Sequence, residues 1–130
     1  MSTTDGRRFG DGMAAGPDLV GAAEVAVGQA LAGLDGVPPD LLCVFVAPGT
    51  AQDGDQAAAA GLRAMELGGA GATLGATASG VIGDGRGREH GPAVSAWAAV
   101  LPGVRITPYR LDVTRVGDSL HIGGLPQPVS

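Results

Sequence analysis

The chain contains no lysine, a single cysteine and only four aromatic residues among 130. Each shortage excludes something. Cys43 has no partner in the sequence, so an intrachain disulfide or a cysteine-cluster metal site is ruled out, and nothing points to an oxidising compartment. The eight basic residues are all arginines, scattered along a chain of net charge −5 and pI about 4.7. A nucleic-acid binder needs a clustered basic face to displace counterions, and an anionic membrane needs the same. Neither partner is expected. No apolar run approaches the ~20 residues that span a bilayer. Arg7-Arg8-Phe9 has the look of a twin-arginine export signal, but Gly10-Asp11-Gly12 follows where an apolar segment is required. A cytoplasmic protein is the expectation.

What is abundant is small. The chain holds 24 glycines and 9 prolines, at the edge of the range associated with low complexity. Leucine, valine, isoleucine and phenylalanine still suffice for a core, and 130 residues suit one domain. The reading is a domain of closely packed small side chains joined by glycine turns.

Phe9–Ala15 is a glycine-rich candidate strand. Pro17-Asp18 suits a helix start, and Leu19–Leu34 is apolar over most of its circumference, so that helix is expected to pack on more than one side. Asp35-Gly36-Val37-Pro38-Pro39 ends it. Leu41–Ala47 is continuously apolar, the pattern of a strand covered on both faces. After a polar loop over Gln52–Asp55, Gln56–Leu67 reads as a second helix with four alanines, Leu62 and Met65 on its apolar side and Arg63 and Glu66 in solvent. Gly68-Gly69 stops it, and Ala72–Thr77 is a third strand. Pro92–Leu101 and Val104–Val113 read as two strands joined by a Pro102-Gly103 turn, with a bulge at Pro108, and Ser119–Ile122 as one more short strand. The expected class is α/β: a mixed sheet with a parallel βαβαβ start and an antiparallel C-terminal hairpin, flanked by two helices. Residues 1–7 are expected to be a disordered N-terminus and 126–130 a tail.

The chemical candidate is the run from Gly75 to Gly87. Its glycines allow close backbone approach to a ligand, and it follows a strand, where open α/β sheets place ligands. Thr77, Ser79, Gly80, Gly83, Gly85 and Arg86 are the candidate ligand-binding residues, Arg86 because its fork matches a carboxylate. Val81-Ile82 stands where a phosphate-binding loop needs Lys and Ser/Thr, and the dinucleotide glycine pattern is absent. Ser79, Asp84 and His90 follow the chain order of a hydrolase triad. Thr77 and Val81, however, occupy the positions where a nucleophile elbow needs glycine. No catalytic residues, metal or cofactor are expected. Cys43 reads as a small buried hydrophobe, and Trp97 and Tyr109 as a pair covering a small-residue core.

Several stretches, in order, resemble the FIST N-terminal domain, a bacterial sensory domain. They are Arg8-Phe9-Gly10-Asp11-Gly12, the alanine-rich first helix, Pro39–Val46, Leu74–Gly83, Pro92–Trp97 and Leu101–Val104. The resemblance covers Arg8 to about Leu125. It implies an intracellular signal-transduction module that binds small ligands such as amino acids or related carboxylates. It also implies a possible C-terminal FIST domain or signalling protein as partner, and no enzymatic activity. Ala76 stands where the family often has cysteine. Members of the family run on past this point, so the chain is expected to be a partial domain. Two other classes stay open: a serine-hydrolase-type enzyme using Ser79, and an assembly module pairing through an exposed sheet edge.

Overall fold

In the computed structural model, which describes residues 6–49, 54–88, 90–124 and 126, two helices lie on one face of a four-stranded mixed sheet. The sheet strands are β1 (Arg8–Ala15), β2 (Leu41–Ala47), β3 (Ala72–Thr77) and β6 (Ala93–Val100), in spatial order β1-β6-β2-β3. Helix α1 is Leu19–Ala32 and α2 is Gly54–Gly68. The short strands β4 (Val81–Gly83) and β5 (Arg86–Arg88) form one hairpin, and β7 (Asp112–Val116) and β8 (Ser119–Gly123) another. The expected α/β class is observed. β2 and β3 are directly hydrogen-bonded in parallel, whereas β6 inserts antiparallel between β1 and β2. β1, β2 and β3 therefore run in one direction, but β1 reaches the others only through β6.

The first helix starts where its sequence says it should. Asp18 stands at the N-cap and its carboxylate accepts the Gly21 amide at 3.0 Å, satisfying a donor the helix cannot. Asp35 and Gly36, both at positive φ, then turn the chain back toward β2. Glycines decide how α1 meets the sheet. A Cβ on Gly10 would overlap the Ala30 carbonyl, and one on Gly12 the Ala26 carbonyl. Gly33 closes the same seam from the helix side, where a Cβ would lie 2.9 Å from the Gly10 Cα. Backbone thus packs on backbone. Gln29 uses that proximity: its Oε1 accepts the Met13 amide of edge strand β1 at 3.0 Å.

The core between the layers is built of Ala22, Ala23, Ala26, Val27 and Ala30 from α1, Ala57, Ala60 and Ala64 from α2, and Leu42, Val44, Val94 and Ala98 from the sheet. A salt bridge from Arg63 to Glu24 at 3.1 Å links the two helices at their solvent side. Its hydrogen bonds to Glu24, then Glu66, raise the Arg63 pKa above its ordinary value. Water screens a pair this exposed, so the alanine core carries the helix–helix contact.

Four expectations are corrected. β2 is not covered on both faces: Leu42, Val44 and Val46 are buried under the helices, but Phe45 on the other face is exposed. Residues 104–111 form no strand, so the Pro102-Gly103 turn does not join a hairpin and Pro108 marks no bulge. The C-terminal hairpin is made instead by β7 and β8, while β6 becomes a central strand because both β1 and β2 claim its edges. Trp97 stacks on Phe9, with ring centroids 5.8 Å apart, rather than pairing with Tyr109. Leu62 and Met65 are exposed, since alanines make the buried stripe of α2. The expected disorder of residues 1–7 and tail over 126–130 lie, apart from Gly6, Arg7 and Pro126, outside the described residues. So do Gln52 and Asp53 of the expected loop, whereas Asp55 opens α2.

The glycine seam makes a directional forecast. Gly12→Ala should cost at least about 2 kcal/mol, since overpacking into backbone typically costs 1–3 kcal/mol and carbonyls cannot swing aside. Gly28→Ala, in α1 but facing open space, should instead stabilise by roughly 0.5–1 kcal/mol. Urea unfolding of both variants checks the pair; equal effects would mean that α1 does not rest on β1 as described.

Candidate functional site

The two faces of the sheet offer different chemistry. On the helix face, the buried side of α2 is Ala57, Ala60, Ala64 and Gly68, and a Cβ on Gly68 would collide with Leu42. With side chains this small α2 settles against α1 and β2, leaving much of β3 uncovered. The result is a cleft of about 530 Å³ between α2 and β3. Val44 and Val46 line it from β2, Ala57, Ala58, Gly61, Leu62 and Met65 from α2, and Thr73, Gly75, Ala76 and Thr77 from β3. Among the described residues, no charged side chain lines it. The hydroxyls of Thr73 and Thr77 are its polar side-chain groups, and β3 is an edge strand that brings unpaired peptide groups to the same wall.

On the opposite face, the β4–β5 hairpin covers one end of the sheet. Val81 joins Met13, Ala47 and Ala93 in a small second core. Gly83 is buried because β1 passes so close that a Cβ there would meet the Gly12 carbonyl at 2.6 Å. The Asp84 amide donates to the Asp11 carboxylate at 2.7 Å. Asp84 and Gly85 have φ of 52° and 70°, the pair of positive values that a two-residue type I′ hairpin turn requires.

The expected ligand residues are therefore divided. Thr77 lines the α2–β3 cleft, and Ser79 and Gly80 lie just beyond it in the bend that leaves β3. Gly83, Gly85 and Arg86 belong to a hairpin on the other face of the sheet. Their glycines serve close packing and a turn. Arg86 is exposed and lies 3.6 Å from the Asp84 carboxylate. Asp84 is thus engaged by Arg86, and the His90 carbonyl accepts the Arg88 guanidinium at 3.0 Å. Ser79, Asp84 and His90 are all exposed, in a bend, a turn and a bend respectively. Glu89, expected beside Arg86 and Arg88 in a charge cluster, lies outside the described residues. Among the described residues, no group of three or more His, Cys, Asp or Glu side chains is placed to hold a metal ion.

Sequence reasoning missed the α2 wall. Leu62 and Met65 carried the available signal: two large apolar side chains three apart on a helix whose packing stripe is alanine. Cys43 is half-buried on the face away from the helices, in register with Trp97 and Leu74. Burial pushes its thiol pKa up. No helix among the described residues is long and apolar enough to cross a membrane. Comparison with family models, with curated proteins and with solved structures finds no significant match to this chain.

The Cys43 shift has a pH consequence of definite sign. A thiol whose folded pKa is raised favours folding while it is protonated, and that contribution falls as pH rises above the unfolded thiol's pKa toward the folded value. Folding stability should therefore decline on the alkaline side of the ordinary thiol range, and Cys43→Ala should remove that part of the slope. Iodoacetamide labelling followed against pH should give a midpoint above that of a free cysteine; a midpoint at or below it would contradict the burial.

Proposed function

We propose that this chain is a non-catalytic, small-ligand-binding sensory module of the cell interior, and that its ligand occupies the cleft between α2 and β3. The observation that carries this reading is the cleft's lining: apolar on three sides, uncharged, with two threonine hydroxyls and an edge-strand backbone as directional partners. Such a combination suits a ligand with an aliphatic body and a neutral hydrogen-bonding group. The FIST-like stretches support the sensory half of the proposal, and they include Gly75, Ala76 and Thr77 of the cleft wall.

The geometry narrows the expected chemistry. A free amino acid brings an ammonium and a carboxylate, and neither finds an opposite charge among the described residues of the lining. Arg86, the residue chosen for a carboxylate, lies on the far face. An amino-acid derivative with its charges masked, or a short aliphatic amide, fits better. Burying a leucine-sized side chain contributes about 1.5–3 kcal/mol, which on its own falls short of the roughly 4 kcal/mol of a millimolar complex. Hydrogen bonds at Thr73 and Thr77 would supply the remainder, about 0.5–1.5 kcal/mol each. Weak, millimolar-range affinity is expected for these fragments.

Gly61 provides the control. A Cβ there enters open space, so Gly61→Leu should fill the cleft and, by removing a helix glycine, stabilise α2 by up to about 1 kcal/mol. In amide-resolved NMR titrations, N-acetyl-leucine amide should shift Gly61, Gly75 and Thr77 more strongly than free leucine does. Gly61→Leu should abolish those shifts while raising the unfolding temperature. A folded wild-type spectrum that neither compound perturbs at these residues would overturn the assignment of the cleft.

A further inference from the structure

Among the described residues, the β4–β5 hairpin and the stretch 106–111, which shares a pocket with Leu74, leave Phe9, Trp97 and Phe45 exposed on the face of the sheet away from the helices. Phe9 is stacked on Trp97, and Phe45 and Leu74 continue the surface, with exposures from 37% to 62%. Large aromatic side chains are rare in this sequence, and three of the four gather here. One acid, Asp11, stands among them, opposite Trp97 in the β1–β6 register. Its hydrogen bond to the Asp84 amide uses one carboxylate oxygen.

A second bare surface belongs to the same chain. Every residue of β7 and β8 is exposed, and a two-stranded hairpin without a packing partner is marginal in water. Directly paired residues share a side, which places Val113, Ile122 and Leu120 together with one base, Arg115. The opposite side carries Asp112, Thr114, Val116, Ser119 and His121. The hairpin is thus an apolar strip bearing one positive charge, and the sheet is an apolar face bearing one negative charge.

We propose that the β7–β8 hairpin of one copy of this chain docks on the open sheet face of a second copy, with Arg115 meeting Asp11 across the interface. A two-fold arrangement makes the same contact twice and covers both faces and both hairpins. Pairing through the β1 edge is a poorer route, because Gln29 already occupies the Met13 amide.

The chain carries its own reporters, since its single tryptophan and single cysteine both lie on the open face. Sedimentation should show a monomer–dimer equilibrium as concentration rises through the micromolar range. Trp97 emission should shift to the blue and Cys43 alkylation should slow over the same range. Leu120→Asp should abolish dimerisation and Arg115→Asp should weaken it at least fivefold, both without loss of secondary structure because these positions are exposed. Adding Asp11→Arg to Arg115→Asp should recover part of the affinity. A monomer at every concentration would overturn the proposal. So would Trp97 emission already blue at the lowest concentration, the signature of the hairpin closing on its own chain, or a dimer indifferent to Leu120→Asp. Should the double variant not fold, Leu120→Asp alone decides.

Discussion

The seam where α1 lies on β1 constrains everything else in this molecule. Three glycines, Gly10, Gly12 and Gly33, let a helix approach a strand until main chain touches main chain, closer than any side chain permits. That distance sets the height of α1 above the sheet and thereby the height of α2, which packs against it. It also explains why alanine suffices as the core residue. A layer this thin has no room for leucine at most positions, and dispersion between closely spaced backbones replaces what larger side chains would otherwise contribute.

Thin packing on one side displaces bulk to the other. Phe9, Phe45, Trp97 and Leu74 all stand on the face that the helices do not touch, whereas the helix face holds Ala96, Ala98, Val44 and Val46. The cleft beside β3 arises from the same economy of volume. Alanines hold α2 low against α1 and β2, so the helix stops short of the outer strand. Leu62 and Met65, which a larger core would have absorbed, stand at the margin of the gap.

Much of the secondary structure was legible because its signals are local. Asp18 announces the start of α1, the unbroken run from Leu41 to Ala47 announces a sheet strand, and Gly68-Gly69 marks the end of α2. Long-range choices were not legible. The phase of residues 104–113 looks like a strand when read alone, but a strand also needs an unclaimed neighbour, and both edges of β6 are taken by β1 and β2. The glycine-rich run after β3 was conspicuous for a reason its composition could not disclose. Gly83 is small because β1 passes over it, and Gly85 because a type I′ turn needs positive φ. Of the residues singled out there, Thr77 lines a cleft whose other wall lies on α2, where Leu62 and Met65 read as core-facing side chains.

The placement of β6 has a consequence in time. β1 leaves the ribosome before the other strands of this sheet, yet among the described residues its sheet partner spans residues 93–100. β2 gains its parallel neighbour earlier, when β3 emerges, but the two halves of the sheet stay separate until β6 slides between them. During synthesis at about 5–20 residues per second, the nascent chain therefore spends several seconds with α1 made and β1 unpaired. Because the strand that joins the halves comes late and its pairings are distant, the sheet closes in a single late step, and a chain interrupted before residue 93 leaves its first strand without a neighbour.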